Sequence, residues 1–476
     1  MLIQTSNKII MKRFTMKFFT ALAVLIIMLP HFNCKKQDEW LDVKRNKADV
    51  VPQTLADFQA ILDNTTTLTS VFNLAGAVGT DDIYINDVNL AAAPEEEKNL
   101  YQWKQSIWST NVSQGWNNFY TIVEYANIVL DGLGKLKSGS NEYNFIKGQA
   151  LFWRAYAFYY LAQTFAKPYS LNNASNDLGI PLRITSDVNV IYGRATVQDT
   201  YNQIIDDVSQ AITLLPSVAK YQTRPIKSAA MILVARILLN MDNFEMASKY
   251  ADQAIRESGV LLDFNNGVVN LNTTYRFPAN GLGNPEVLFL AFGNGYVSIL
   301  PTTLNTGFVD QELYNSYDNN DLRKIFFYAK DTSTGLWKIR GTYSGSSVAF
   351  SGISINEAYL IRAECYARSG KTSEAMQDIN TLLVNRFKTG TFKLLTAQSA
   401  DVALQIVLAE RRKELAFTGI FRWEDLRRLN KDPKFAKTLF RTINGQTFSL
   451  PPNDPKYTLP IPDSEIQITG IQQNNR

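Results

Sequence analysis

Two alanines, Ala235 and Ala247, recur as Ala363 and Ala375, and the segment from Ala230 to Ile255 lies over Ala358 to Leu383 at a constant offset of 128 residues. A recurring segment restricts architecture strongly, because each copy must be a supersecondary unit that buries its apolar face on a neighbour. In both copies the alanines are 12 apart and flank a turn, Met241-Asp242-Asn243 or Ser369-Gly370-Lys371. Each copy therefore reads as two antiparallel helices that come close where only a methyl group stands between them.

Helical periodicity extends upstream. Tyr120, Ile122, Val123, Tyr125, Ala126, Ile128, Val129 and Leu130 make a wide apolar face ending at Gly132 and Gly134, over about 116–135. A second helix, about 142–165, is apolar almost all round (Phe152, Trp153, Ala155, Tyr156, Phe158, Tyr159, Leu161) and stops before Pro168, which implies deep burial. Thr196 is placed to cap a third, 197–215, ended by Pro216. Residues 259–352 differ: Gly, Asn, Thr, Tyr and Phe rise and no helical period persists, with Val287 to Phe292 and Leu336 to Arg340 reading as short strands. The expected organisation is a single domain over 51–476, mainly α, with a helical-hairpin scaffold at about 51–258 and 353–430. A loop-rich, small-sheet region at 259–352 and an extended C-terminal tail at 431–476 complete it.

The N-terminus narrows function. A basic start (Lys12, Arg13, Lys17), an apolar run from Phe18 to Leu29 and then Cys34 read as a signal peptide over 1–33 ending at a lipid-attachment cysteine. The run is shorter than the ~20 residues needed to span hydrocarbon. Residues 34–50 follow as a tether, and Met1, Met11 and Met16 are each possible starts. Cleavage before Cys34 removes His31, the only histidine, so a mature chain cannot run a Ser-His-Asp or Cys-His relay or build a His-based metal site. It also removes four basic residues and no acidic one, leaving 44 of each and no ground for a nucleic-acid partner. Only Cys365 remains besides Cys34, on an apolar helical stripe that argues packing. No phosphate loop, EF-hand ladder or metal-spaced cysteine cluster is present, and no cofactor is expected.

The turn-and-alanine spacing resembles the small-residue positions of a tetratricopeptide repeat. The run Gly148 to Leu161 (GQALFWRAYAFYYL), the Gly179-Ile180-Pro181-Leu182 loop, Glu410 to Phe417 (ERRKELAF) with Arg422 to Arg428 (RWEDLRR), and Leu459-Pro460-Ile461-Pro462 ahead of Glu465-Ile466 resemble the SusD/RagB family in identity and order. That resemblance covers nearly all of the mature chain. It implies a surface-exposed, lipid-anchored outer-membrane protein of Bacteroidetes that binds oligosaccharide without catalysis and passes it to a SusC-like, TonB-dependent barrel. It also implies a tetratricopeptide-like scaffold with the ligand site on variable loops.

Sugar rings stack their C–H faces on aromatic side chains, and their hydroxyls need amide or carboxylate partners. Tyr101, Trp103, Tyr296 and Trp337 are the preferred stacking candidates, with Tyr84, Asn86, Tyr314, Tyr317 and Tyr343 beside them. Trp108, Trp116, Trp153 and Trp423 fall in helical or family-core patterns and are assigned to packing. The run Glu410, Arg411, Arg412, Glu414 with Arg422, Glu424, Asp425, Arg427 and Arg428 alternates charge at helical spacing, which reads as an ion-pair network. Asp81-Asp82 is a weak cation or loop-capping candidate. The alternatives are a hydrolase with two carboxyls ~5–10 Å apart across a cleft, and a binder of peptide cargo.

Overall fold

The computed structural model describes residues 51–476. The signal peptide, Cys34 and the 34–50 tether lie outside the described residues. Gln53–Arg476 form one compact unit, and among the described residues no helix is long and apolar enough to cross a membrane.

Nine long helices make the scaffold among the described residues: α1 (Gln114–Leu133), α2 (Asn141–Phe165), α3 (Val197–Leu214), α4 (Lys227–Asn240), α5 (Phe244–Ser258), α6 (Ile355–Arg368), α7 (Thr372–Leu383), α8 (Ala400–Glu414) and α9 (Phe421–Leu429). Their starts follow from the sequence. Ser113, Ser140 and Thr196 stand in extended conformation and accept from the backbone N–H of the third residue of α1, α2 and α3. Helix α2 is buried on every side from Gly148 to Phe165, which explains its apolar circumference. It is the axis of the largest core, where Phe72 and Phe289 meet Trp153 and Tyr156.

Consecutive helices pack on one another from α1 through α7, including α5 against α6 although the whole loop-rich region separates them in sequence, and α8 closes on α6 and α7. The two alanine hairpins are thus neighbours in one helical stack. Ala235, Ala247, Ala363 and Ala375 are all fully buried. The turns match in detail: Asp242 and Gly370 occupy the same repeat position and both adopt left-handed backbone, at φ 61° and 79°. Asn243 N–H donates to the Leu238 carbonyl and Lys371 N–H to the Tyr366 carbonyl, each at 2.9 Å. Both hairpins therefore leave their first helix through the same six-to-one, left-handed cap.

The sheets are small. Strands are β1 (Phe72–Asn73), β2 (Ile83–Tyr84), β3 (Leu178–Pro181), β4 (Arg194–Thr196), β5 (Val287–Phe289), β6 (Phe292–Gly295), β7 (Phe308–Val309), β8 (Tyr328–Lys330), β9 (Trp337–Ile339), β10 (Ala349–Phe350), β11 (Ile353–Ser354), β12 (Leu439–Ile443) and β13 (Gln446–Leu450). β6 lies between β1 and β10, and the other strands pair in twos: β2 with β7, β3 with β4, β5 with β11, β8 with β9 and β12 with β13. The loop-rich region carries its own core of Leu262, Phe264, Phe277, Phe326, Phe327, Tyr343 and Phe350. The expected extended tail is corrected: residues 431–476 hold the β12–β13 hairpin and the short helix Asp463–Thr469. Asn444-Gly445 at φ 47° and 78° close a two-residue turn, as needed by the twist of the paired strands.

Candidate ligand-binding site

Five of the nine ligand candidates prove to be structural. Tyr101 and Trp103, each 3 % exposed, sandwich the Arg441 guanidinium at 3.5 and 4.3 Å from their ring centroids, and the Trp103 indole N–H donates to the Gly79 carbonyl. Tyr296 is buried beside Trp108 at 5.8 Å. The Tyr317 hydroxyl meets that of Tyr328 and donates to the Lys413 carbonyl at 2.7 Å. The Tyr343 hydroxyl donates to the Glu286 carboxylate inside the second core. These rings are corrected from surface platforms to packing: each is 8 % exposed or less, so none offers a ring face to a sugar.

Four candidates remain near solvent. Tyr84 is 44 % exposed and lies 6.4 Å from Phe308, its direct partner across β2 and β7. Asn86 is half-buried and its side-chain oxygen caps the short helix Asp87–Ala92 by accepting from Asn89 N–H at 2.8 Å. Tyr314, on the short helix Gln311–Asn315, and Trp337, opening β9, are both half-buried and stack at 3.8 Å with 14° between planes. Successive strand residues point to opposite sides. The Lys338 ammonium lies over Phe308, so the Tyr84–Phe308 cluster and the Tyr314–Trp337 stack occupy opposite sides of β9.

The sequence reading missed two lysines on this stack. The Lys324 ammonium sits 5.2 Å from the Tyr314 ring and that of Lys330, cross-strand from Trp337, 6.0 Å from its ring. A β8–β9 hairpin reading would have set Lys330 opposite Trp337; nothing local marks Lys324, which arrives on the helix Arg323–Phe327.

The charged run is an ion-pair lattice. Arg323 bridges Asp321, Glu410 and Glu414, and Arg386 bridges Glu414 and Glu286, all at 2.6–3.0 Å and almost wholly buried. Two guanidiniums hold the Glu414 carboxyl down to about 2 against the cost of burial. Glu424 is the opposite case: burial raises it to about 7, with Arg236 and the Tyr159 hydroxyl only partly offsetting. Asp81 is bound by Arg422, Lys437 and Arg412, and Asp82 by Arg412, so this pair is already neutralised by side-chain cations. Among the described residues, no group of three or more metal-binding side chains converges.

The family model described as "SusD family" matches residues 165–475, and a second, described as "Starch-binding associating with outer membrane", matches residues 39–239. The chain belongs to the SusD family. A SusD-like protein P2 of Formosa agariphila is 22 % identical over 430 residues, covering 76 % of this chain and 80 % of that one. Among solved structures, a SusD superfamily protein of Bacteroides thetaiotaomicron superposes with TM-score 0.71 at 22 % identity, covering 89 % of this chain and 100 % of that one. A laminarin-binding SusD-like protein superposes with TM-score 0.66 at 17 % identity, covering 88 % and 98 %. These SusD neighbours share the mainly helical fold. The arginine lattice is this SusD chain's means of fastening its loop region to α8, since Glu414 ends that helix while Glu286 and Arg323 belong to the loops.

Proposed function

We propose that this SusD-family protein binds oligosaccharide at the cell surface without transforming it, using the Tyr314–Trp337 stack as its platform. The observation that carries the reading is that, of the nine residues considered, these two are the aromatic pair that is stacked, half-buried and mounted on the loop region rather than absorbed into a core. Family membership supports the remaining steps: anchoring through Cys34 at the outer membrane, an extracellular orientation, and delivery to a SusC-like, TonB-dependent barrel. A hydrolase would need two carboxyls facing one another across a cleft open to substrate. Glu286, Glu410 and Glu414 instead are buried on arginines, which favours a structural role for them.

Electrophoresis of the protein through native gels cast with single polysaccharides, with chromatography of the same mixtures for released sugars, tests this. Retardation without product supports capture. Product formation would replace the reading by hydrolysis, and retention of peptides but of no glycan would replace it by peptide cargo.

A further inference from the structure

Resting on that reading, we propose that the Tyr314–Trp337 site takes an anionic glycan, one carrying uronate or sulfate groups, in preference to a neutral one. The two rings lie 3.8 Å apart, so each has its inner face on the other. The ammonium groups of Lys324 and Lys330 then stand over the outer faces, at 5.2 and 6.0 Å. A neutral sugar stacking on either ring must displace a cation from an attractive position. A sugar bearing an anion instead adds a charge-assisted contact to each ammonium while its ring runs along the edge of the stack.

The lysines have capacity for such a ligand. Lys324 donates to the Tyr317 carbonyl and the Asn319 side-chain oxygen at 3.0 Å each, which leaves one of its three protons and its whole charge. Lys330 is exposed, and among the described residues neither lysine meets a carboxylate at ion-pair distance. Two further cations near the hairpin are likewise satisfied by neutral carbonyls. Lys338 is buried on the carbonyls of Asn305 and Gly307, and the Arg276 guanidinium donates to the Ile325 carbonyl. Of the neighbouring carboxylates, Asp321 is paired with Arg323 and Glu312 lies 3.8–3.9 Å from Lys437 and Arg412, while Asp310 and Asp331 accept from N–H groups of their own turns and keep their charge without reaching either lysine. Cations satisfied by neutral oxygens keep their long-range attraction, and that attraction is screened by salt.

Dextran against dextran sulfate, and polygalacturonate as the uronate probe, separate the possibilities by calorimetry on wild type, Lys324→Gln/Lys330→Gln and Trp337→Ala, with melting curves showing each variant folded. At least tenfold tighter binding of one charged polymer than of dextran is expected, falling at least tenfold in the double lysine variant and again between 50 and 300 mM salt. Whether dextran sulfate or polygalacturonate responds tells sulfate from uronate. If dextran or another neutral glucan binds as tightly through Trp337, indifferent to the lysines, the charge preference is overturned and glycan capture stands. If polyglutamate binds as well as the charged glycans, or charged-glycan binding ignores Trp337→Ala, the site is a mere anion patch and the proposal fails. If no glycan of either kind binds, both the preference and the proposed function fail.

Discussion

Replacing Glu414 by Gln tests whether the buried arginine lattice holds the loop region to the scaffold. Glu414 is fully buried and accepts from Arg386, Arg323 and the Asn356 amide at 2.8–3.0 Å. The amide introduced by Glu414→Gln keeps the shape but not the charge, so Arg386 retains only Glu286, while Arg323 retains Asp321 and Glu410. A carboxyl that titrates at 4.5 in the unfolded chain and at about 2 in the folded one contributes about 3 kcal/mol at neutral pH. Loss of one partner from a buried pair costs about 3–5 kcal/mol, so the two routes agree. For a folded unit of this length the cost is about 3–5 °C in Tm. The effect is pH-dependent in a defined sense. Because the folded state binds its proton less readily, the stabilisation is complete above pH 4.5 and disappears as pH falls through about 2. The gap between wild type and variant in urea melts should therefore be full at pH 7 and close across that acid window. Asp401→Asn, breaking a pair whose partners are more than 60 % exposed, serves as the control and should change stability by under about 0.5 kcal/mol. A Glu414→Gln loss below about 1 kcal/mol, or a gap that ignores pH, would refute the reasoning.

Glu424 predicts the opposite pH trend. With its carboxyl raised to about 7, stability from this group is present below pH 4.5 and lost as pH rises to about 7, so Glu424→Gln should gain on wild type by about 3 kcal/mol between pH 4.5 and 8 in urea titrations. Enlarging the helix crossings by Ala235→Leu or Ala363→Leu should cost about 1–3 kcal/mol each by overpacking a fully buried site, read by the same titrations. Gly370→Ala should cost about 1 kcal/mol, because φ 79° is unfavourable to any side chain, although open space surrounds the position. Trp103→Ala should lose about 3–5 kcal/mol of stability by emptying the core around Arg441, whereas Trp337→Ala, removing a half-buried ring and its stack on Tyr314, should lose about 1–3 kcal/mol, stay folded and weaken glycan binding about tenfold.

The scaffold was legible because its signals are local or periodic. Ser140 and Thr196 cap the helices they precede, Pro216 follows the end of α3, and the alanines at one offset mark two hairpins that share even the left-handed turn residue. The β12–β13 hairpin carried an equally local mark, Asn444-Gly445 between alternating residues, which the extended-tail reading passed over. The ligand site was less legible for a physical reason. Whether an aromatic in a loop faces solvent depends on where the chain returns, and no periodicity records that. Arg441 comes from the C-terminal hairpin to fill the gap between Tyr101 and Trp103, and Arg386 from beyond α7 meets Tyr343. Conversely Lys324 and Trp337 converge on Tyr314 only after the helix Arg323–Phe327 and the β8–β9 hairpin have folded.

Calorimetric titration of wild type and Trp337→Ala with the polysaccharide that retards the protein in native gels tests the central claim most directly. The account predicts saturable binding by wild type that Trp337→Ala weakens at least tenfold with the fold intact. Undiminished affinity in a folded Trp337→Ala protein would contradict it, and would move the site away from the Tyr314–Trp337 stack.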